Sequence, residues 1–285
     1  MENVALFTVI FPGNLAYFHD FMLSLQRQTY GGFKLLLMVD GVPDIEAELQ
    51  PFRDSLRIET KFHTGSIAEV RDHGIRWIVA GNYDYVIFAD SDDIMHPDRI
   101  AVCLEGLDAA PCVVNDVIPF HSIDNTGNGY WRDRLDDGQS FGADTIKFCN
   151  FAGLGNSAIR KDAFRAMSIP AGLVAVDWFL FYHWLQSGKG VFKHHGVIYY
   201  RQHASNTAGL SVVTPERLIR VLDTKIRHMN ALVHDFRDFE QEIRRHLTLK
   251  DRLSNDAVFQ KEAIEQLNQM NLNFFWWEET QYIHE

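Results

Sequence analysis

Read for apolar and polar positions, the first half of the chain alternates between two periods. "VALFTVIF" (residues 4–11), "FKLLLMVD" (33–40), "RIETKF" (57–62) and "DYVIFAD" (84–90) are short runs that predict strands. Between them, "FHDFMLSLQRQ" (18–28), residues 45–52 and "IAEVRDHGIRWIVAG" (67–81) carry apolar residues at helical spacing. Continuous apolar strands separated by amphipathic helices predict an α/β fold, a mostly parallel central sheet covered by helices. In open sheets of this kind ligands sit beyond the carboxyl ends of the strands. Those ends carry Pro12, Gly13 and Asn14 after the first strand, Asp40 and Gly41 after the second, and Asp90 to Asp93 after the fourth.

The second half is less regular. Residues 110–155 loosen into short strands and loops, and a long irregular stretch inside a domain usually serves function. The pattern predicts helices over "RKDAFRAM" (160–167) and "VDWFLFYHWLQSG" (176–188), then a strand pair around "GVFKHHGVIYYRQH" (190–203). After Pro215, Leu218, Leu222, Ile226, Met229, Val233 and Phe236 recur at three- and four-residue spacing, and a second helix is expected over 256–270. A boundary near Leu210 divides a catalytic domain, 1–210, from a C-terminal helical extension, 211–285. Its apolar stripe should pair with a second copy of the chain or cover the first domain.

Charge narrows the partners. With 38 acidic and 27 basic residues the net charge is −11, which argues against a nucleic-acid groove or an anionic membrane face. Three cysteines, Cys103, Cys112 and Cys149, fit no metal-ligand spacing and point to free thiols in a reducing cytoplasm. The N-terminal apolar run reads as a strand, and no stretch approaches the ~20 apolar residues that cross a bilayer.

"FADSDDIMHPDRI" carries the sharpest chemistry. Asp and Ser favour turns, and Pro97 with Asp98 looks like a first helical turn. Three carboxylates in four positions, Asp90, Asp92 and Asp93, nevertheless repel one another unless a cation or water intervenes, so a divalent metal is the more economical reading.

Together with "MLSLQRQTYGGFKLLLMVDG", "EVRDHGI", "GNSAIRKDAF", "VDWFLFYHWLQSG" and "YYRQHASNTAG", this segment resembles family 2 glycosyltransferases of the GT-A fold over residues 4–209, with a likeness to bacterial surface-polysaccharide and rhamnosyltransferase-like members. The resemblance implies transfer of a sugar, with inversion, from a nucleoside-diphosphate donor (UDP, dTDP or GDP) to a glycan or lipid-linked glycan. It implies a base contact for Asp40, donor contacts for Pro12, Arg71, Asp90, Ser91, Gly155, Asn156 and Arg201, and metal ligation (Mn²⁺ or Mg²⁺) by Asp92, Asp90 and His203. Asp177 is the implied general base, its alternative being an N-cap; Asp93 is read as the cap of the following helix. Val39 and Asp72 depart from the family pattern, which more often has an acid and an Asn there. Lipid-linked acceptors would bring a cytoplasmic enzyme to the inner face of the membrane.

Two other readings compete. A haloacid-dehalogenase-like phosphatase also places Asp-x-Asp after a strand, but its nucleophile usually follows the first strand, and Ile94 stands where Thr or Val is expected. A sugar-nucleotide-binding subunit without turnover would not need Asp90, Asp92 and Asp177 together. The aromatic run at 274–279 matches no transferase motif, and core packing or a dimer contact is expected there ahead of membrane docking.

Overall fold

The computed structural model of the chain describes residues 3–120, 128–203, 212–270, 274 and 277–283. The elements run β1 (Val4–Ile10), α1 (Leu15–Gln26), β2 (Phe33–Val39), α2 (Ile45–Leu49), β3 (Ile58–Phe62), α3 (Ile67–Ala80), β4 (Tyr85–Phe88), β5 (Ile94–Met95), α4 (Arg99–Ala109), β6 (Cys112–Phe120), β7 (Ser140–Phe141), β8 (Ser157–Arg160), α5 (Val176–Trp184), β9 (Gly190–Arg201), α6 (Pro215–Leu232), α7 (Phe239–Asn255) and α8 (Ala257–Gln269).

All the strands join one sheet, in the order β3-β2-β1-β4-β8-β6-β9-β5, with β7 against β9. The first four strands pair in parallel, Leu6 beside Leu35 and Ile87, as strands linked by crossover helices must. β8 reverses direction between β4 and β6, which extends the sheet into the second half of the chain. β1 is buried along its whole length, the signature of a strand covered on both faces.

Local chemistry sets the boundaries. Ser66 caps α3 by accepting from the Glu69 N–H, while the Glu69 carboxylate accepts from the Ser66 N–H at 2.8 Å. Pro215 opens α6 behind Thr214, whose side chain accepts from the Arg217 N–H.

Three expectations are corrected. No helix spans 160–167: Arg160 ends β8, and only a single 3₁₀ turn, Lys161–Ala163, follows. The expected strand pair at 190–203 is one long strand, β9, whose pairing with β6 shifts register between Asn115 and Val117; Gly196 takes φ 65° at the irregularity, a backbone state glycine tolerates. Between the two expected C-terminal helices lies a third, α7.

The main core reaches from β1 into the C-terminal helices, taking in Val221, Met229, Leu232 and Phe239. Trp178 of α5 stacks on His228 of α6 at 3.9 Å, and Tyr182 meets Phe236 and Phe239 edge-on. A second cluster, including Leu218, Leu222, Leu249, Leu253 and Leu267, fills the space among α6, α7 and α8. The apolar stripe of α6 is thus buried within the chain. Leu210, the expected boundary, lies outside the described residues. Of the aromatic run, Phe274 and Trp277 are buried; Phe275 and Trp276 lie outside the described residues. No described helix is long and apolar enough to cross a membrane, and the three cysteines are free.

Candidate active site

A cleft of about 400 Å³ opens at the carboxyl ends of β1, β2 and β4, and its walls include Asp40, Arg71, Asp90, Asp92, Asp177 and His203. Six residues chosen from sequence thus share one cavity, although the chain separates Asp40 from His203 by most of its catalytic half.

The three carboxylates of the acidic run find three different partners. Asp90 pairs with Arg71, whose Nη2 donates to its Oδ1 at 3.2 Å. Asp92 faces His203, with Nε2 2.9 Å from Oδ2. Asp93 turns inward and accepts from the Arg201 N–H at 2.9 Å, so it fastens β9 to the loop; α4 begins six residues later, and Asp93 does not cap it. Beneath the loop the fully buried Arg99 donates to the Phe88 carbonyl at 2.5 Å. Among the described residues no group of three or more His, Cys, Asp or Glu side chains is placed to hold a metal ion.

Burial, and then the Asp90 charge, push the Asp92 carboxyl above its usual range against the hydrogen bond from His203. Arg71 keeps a spare donor: among the described residues its buried Nη1 has no hydrogen-bond partner.

Asp177 lies in the first turn of α5, whose N-cap is Ala175, so the capping alternative does not describe it. Its Oδ1 accepts from the Trp178 N–H at 2.8 Å, and among the described residues no donor reaches Oδ2. Loss of water raises this carboxyl to about 6, with the Asp90 charge adding to the shift, although the Trp178 hydrogen bond and Arg71 oppose it. A carboxylate poised near neutrality with one oxygen open to a cleft suits a general base.

Other expected residues play different parts. Ser91 is fully buried; its hydroxyl donates to the Val9 carbonyl at 2.7 Å, tying β1 to the acidic loop without facing the cleft. Asn156 is also buried, its amide donating to the Asn115 and Phe151 carbonyls at 2.9 and 3.1 Å, which fixes the loop before β8. Gly155 has a steric reason, since a Cβ there would stand 2.4 Å from Asp90 Oδ2. Arg201 braces the site from outside, donating to the Asp92 carbonyl at 2.8 Å and to Asp20 at 2.9 Å. Pro12 is exposed at the cleft rim beside Gly41. Asp72 turns to the helix surface and pairs with Arg76 at 2.7 Å.

Sequence reasoning missed Tyr17, which stacks on His203 at 4.9 Å, and Asp20, the partner of Arg201. Both stand on α1 at i and i+3, so the polar face of that helix held a signal. Trp277, which also lines the cleft, had no readable partner in the sequence.

The model of the family described as "Glycosyl transferase family 2" matches residues 13–168, more than half of the chain. The chain belongs to glycosyl transferase family 2. The match takes in Asp40, Arg71 and Asp90–Asp93 but stops before Asp177 and His203. No curated protein matches this family 2 chain in sequence. Among solved structures it is similar to S. aureus TarS 1–349 in complex with UDP-GlcNAc, at TM-score 0.58 and 11% identity, over 80% of this chain and 66% of that one. A second TarS 1–349 structure has a TM-score of 0.56 at 12% identity, and the chain spans 65% of its length. The mannosyltransferase PcManGT from Pyrobaculum calidifontis, in complex with GDP-Man and Mn²⁺, has a TM-score of 0.56 at 12% identity, over 81% of this chain and 64% of that one. These likenesses establish the GT-A fold.

Proposed function

We propose that the cleft moves a sugar from a nucleoside-diphosphate-sugar to a glycan hydroxyl in a single, inverting displacement, in the assembly of a surface polysaccharide. The observation that carries this reading is the placement of Asp177, with Oδ2 unbonded and its pKa near 6, in the same cleft as Asp40, Arg71, Asp90 and Asp92. The acceptor oxygen forms its bond to the anomeric carbon as the bond from that carbon to the diphosphate oxygen breaks. The electron pair leaves with the diphosphate, and the hydroxyl proton passes to Asp177 Oδ2. Attack from the face opposite the leaving group inverts the anomeric configuration.

The nucleotide lies at the Asp40 end, under the exposed Phe11 and Ile67. The buried Arg71 Nη1, without a partner among the described residues, supplies the pyrophosphate with a donor. Bound UDP, UDP-GlcNAc and GDP-Man in the similar structures support a donor of this class.

Asp92 and His203 fit a divalent ion such as Mn²⁺ or Mg²⁺ as two protein donors, with Asp90 nearby, because their oxygen and ring nitrogen stand 2.9 Å apart at the cleft and burial works against the Asp92 charge. When bound, such an ion would neutralise charge on the departing diphosphate. Asp92→Ala should therefore abolish Mn²⁺-dependent nucleotide affinity in calorimetry, and an unchanged affinity would remove the metal assignment.

The function is tested by thermal stabilisation of the chain with UDP-, dTDP- and GDP-sugars in the presence of Mn²⁺, followed by slow donor hydrolysis. Stabilisation by at least one nucleotide, with release of its diphosphate, is expected. No stabilisation by any of them would refute a nucleotide-sugar site.

A further inference from the structure

Trp277 is the only described residue other than glycine with a positive φ, at 63°. That conformation is an outlier for a bulky side chain and persists only where surrounding contacts impose it. Its neighbours supply those contacts. The buried Lys225 ammonium donates to Thr280 Oγ1 at 2.6 Å, to the Trp277 carbonyl at 3.4 Å and to the Phe148 carbonyl at 2.9 Å. Glu278 accepts from Tyr130 Oη and Arg134 Nη1, each at 2.5 Å, and Glu279 pairs with Arg217 at 2.6 Å. Three successive residues are thus pinned from three directions.

Their combined effect is to hold one indole in place. The Trp277 ring lies parallel to that of Trp178, at 5.8 Å and 5°, and Trp178 directly follows Asp177. Trp277 remains 9% exposed and lines the cleft, as do Leu154, Val174, Val176 and Asp177. Leu154, Val174, Val176 and Trp277 give the cleft an apolar lining, and Val176 directly precedes Asp177 at the start of α5. Packing alone would require neither a left-handed backbone nor an opening to the cleft.

We infer that Trp277 is an acceptor platform, a positioning residue against which a sugar ring of the acceptor glycan stacks so that its hydroxyl meets Asp177. This rests on the transferase reading given above. The C–H face of a sugar ring is apolar and suits the electron-rich face of an indole, while the ring hydroxyls at the edge remain free for Asp177. An indole stacked on Trp178 and carried on a backbone fastened at its own carbonyl and at the next three side chains loses little further freedom when the ring binds. The ligand class is a carbohydrate with one unobstructed C–H face.

The test uses the full chain and its Trp277→Leu and Trp277→Phe variants, each saturated with a nucleoside diphosphate and Mn²⁺ and applied to an array of immobilised glycans. Nucleotide affinity is read by calorimetry on the same preparations. The parent should retain at least one glycan class. Trp277→Leu should hold it roughly ten-fold more weakly and Trp277→Phe should fall between, with nucleotide affinity equal in all three. Glycan retention by Trp277→Leu at the parental level would overturn the platform. So would a nucleotide-loaded parent that holds no glycan, or equal losses in both variants that track a fall in melting temperature. Failure of the parent to bind any nucleoside diphosphate counts instead against the transferase reading, so the two failures are told apart.

Discussion

Glu278 and Glu279 in the C-terminal tail each face a guanidinium, Arg134 and Arg217, at 2.5 and 2.6 Å. In the cleft, Asp90 has a looser contact to Arg71 at 3.2 Å, Asp92 has a histidine, and among the described residues Asp177 has no cation within hydrogen-bonding distance. Both groups are acidic and both are largely out of water. Each tail carboxylate meets a guanidinium and so fastens the tail, although burial still raises the Glu279 carboxyl against the pull of Arg217; the cleft carboxylates meet weaker partners and face a cavity. Two carboxyls raised by burial in one cavity, Asp92 and Asp177, mark function more reliably than acidity itself.

The comparison breaks most visibly at Asp177. Asp177→Asn keeps the shape and can still accept from the Trp178 N–H, but it cannot take a proton. Its transfer rate should fall by ~10² to 10⁴ with donor affinity little changed, measured as released nucleoside diphosphate.

The tail should respond in stability instead. Arg217→Ala strands Glu279 without its partner, and a loss of about 3 kcal/mol is expected in denaturant unfolding. A loss near zero would show that the pair is not structural.

The two regions should then differ in sign. Because the Asp177 carboxyl is raised to about 6 from its ordinary value of 3.8, its neutral form suits the fold. That advantage is complete below pH 3.8 and is lost as pH rises through about 6. At pH 7, Asp177→Asn should therefore stabilise the chain by on the order of 1 to 2 kcal/mol, the shift being discounted for the part of the carboxyl that meets water, and the gain should vanish near pH 4. The smallest effect is expected for Tyr130→Phe, which removes one hydrogen bond to Glu278 while Arg134 remains, at about 1 kcal/mol.

What the sequence made legible follows the same division. β1 to β4, α3 and their ligand-bearing ends were readable because unbroken apolar runs and a Ser-x-x-Glu cap are local signals. The 160–167 segment failed because its helix-like pattern yields to a strand: Arg160 pairs with β4, and its guanidinium binds Asp162 and the Leu107 carbonyl. α7 escaped notice because Phe239, His246, Leu249 and Leu253 are a sparse buried stripe in a polar helix. "HHG" looks like a turn, but Gly196 only bends a continuous strand. The three acids at Asp90, Asp92 and Asp93 were visible as chemistry. Their divergence was not, because their partners Arg71, His203 and Arg201 lie 19, 111 and 108 residues away. Trp277 was visible only as an aromatic without a motif, since its role depends on contacts with Trp178 and Lys225.

The central claim is that a desolvated Asp177 takes the acceptor proton, and the pH dependence of transfer tests it most directly. With saturating metal, kcat/KM for released nucleoside diphosphate should rise as Asp177 loses its proton, with a midpoint near 6, and that limb should be missing from the residual rate of Asp177→Asn. The same limb, with undiminished rate, in Asp177→Asn would contradict the account and assign the proton to another group.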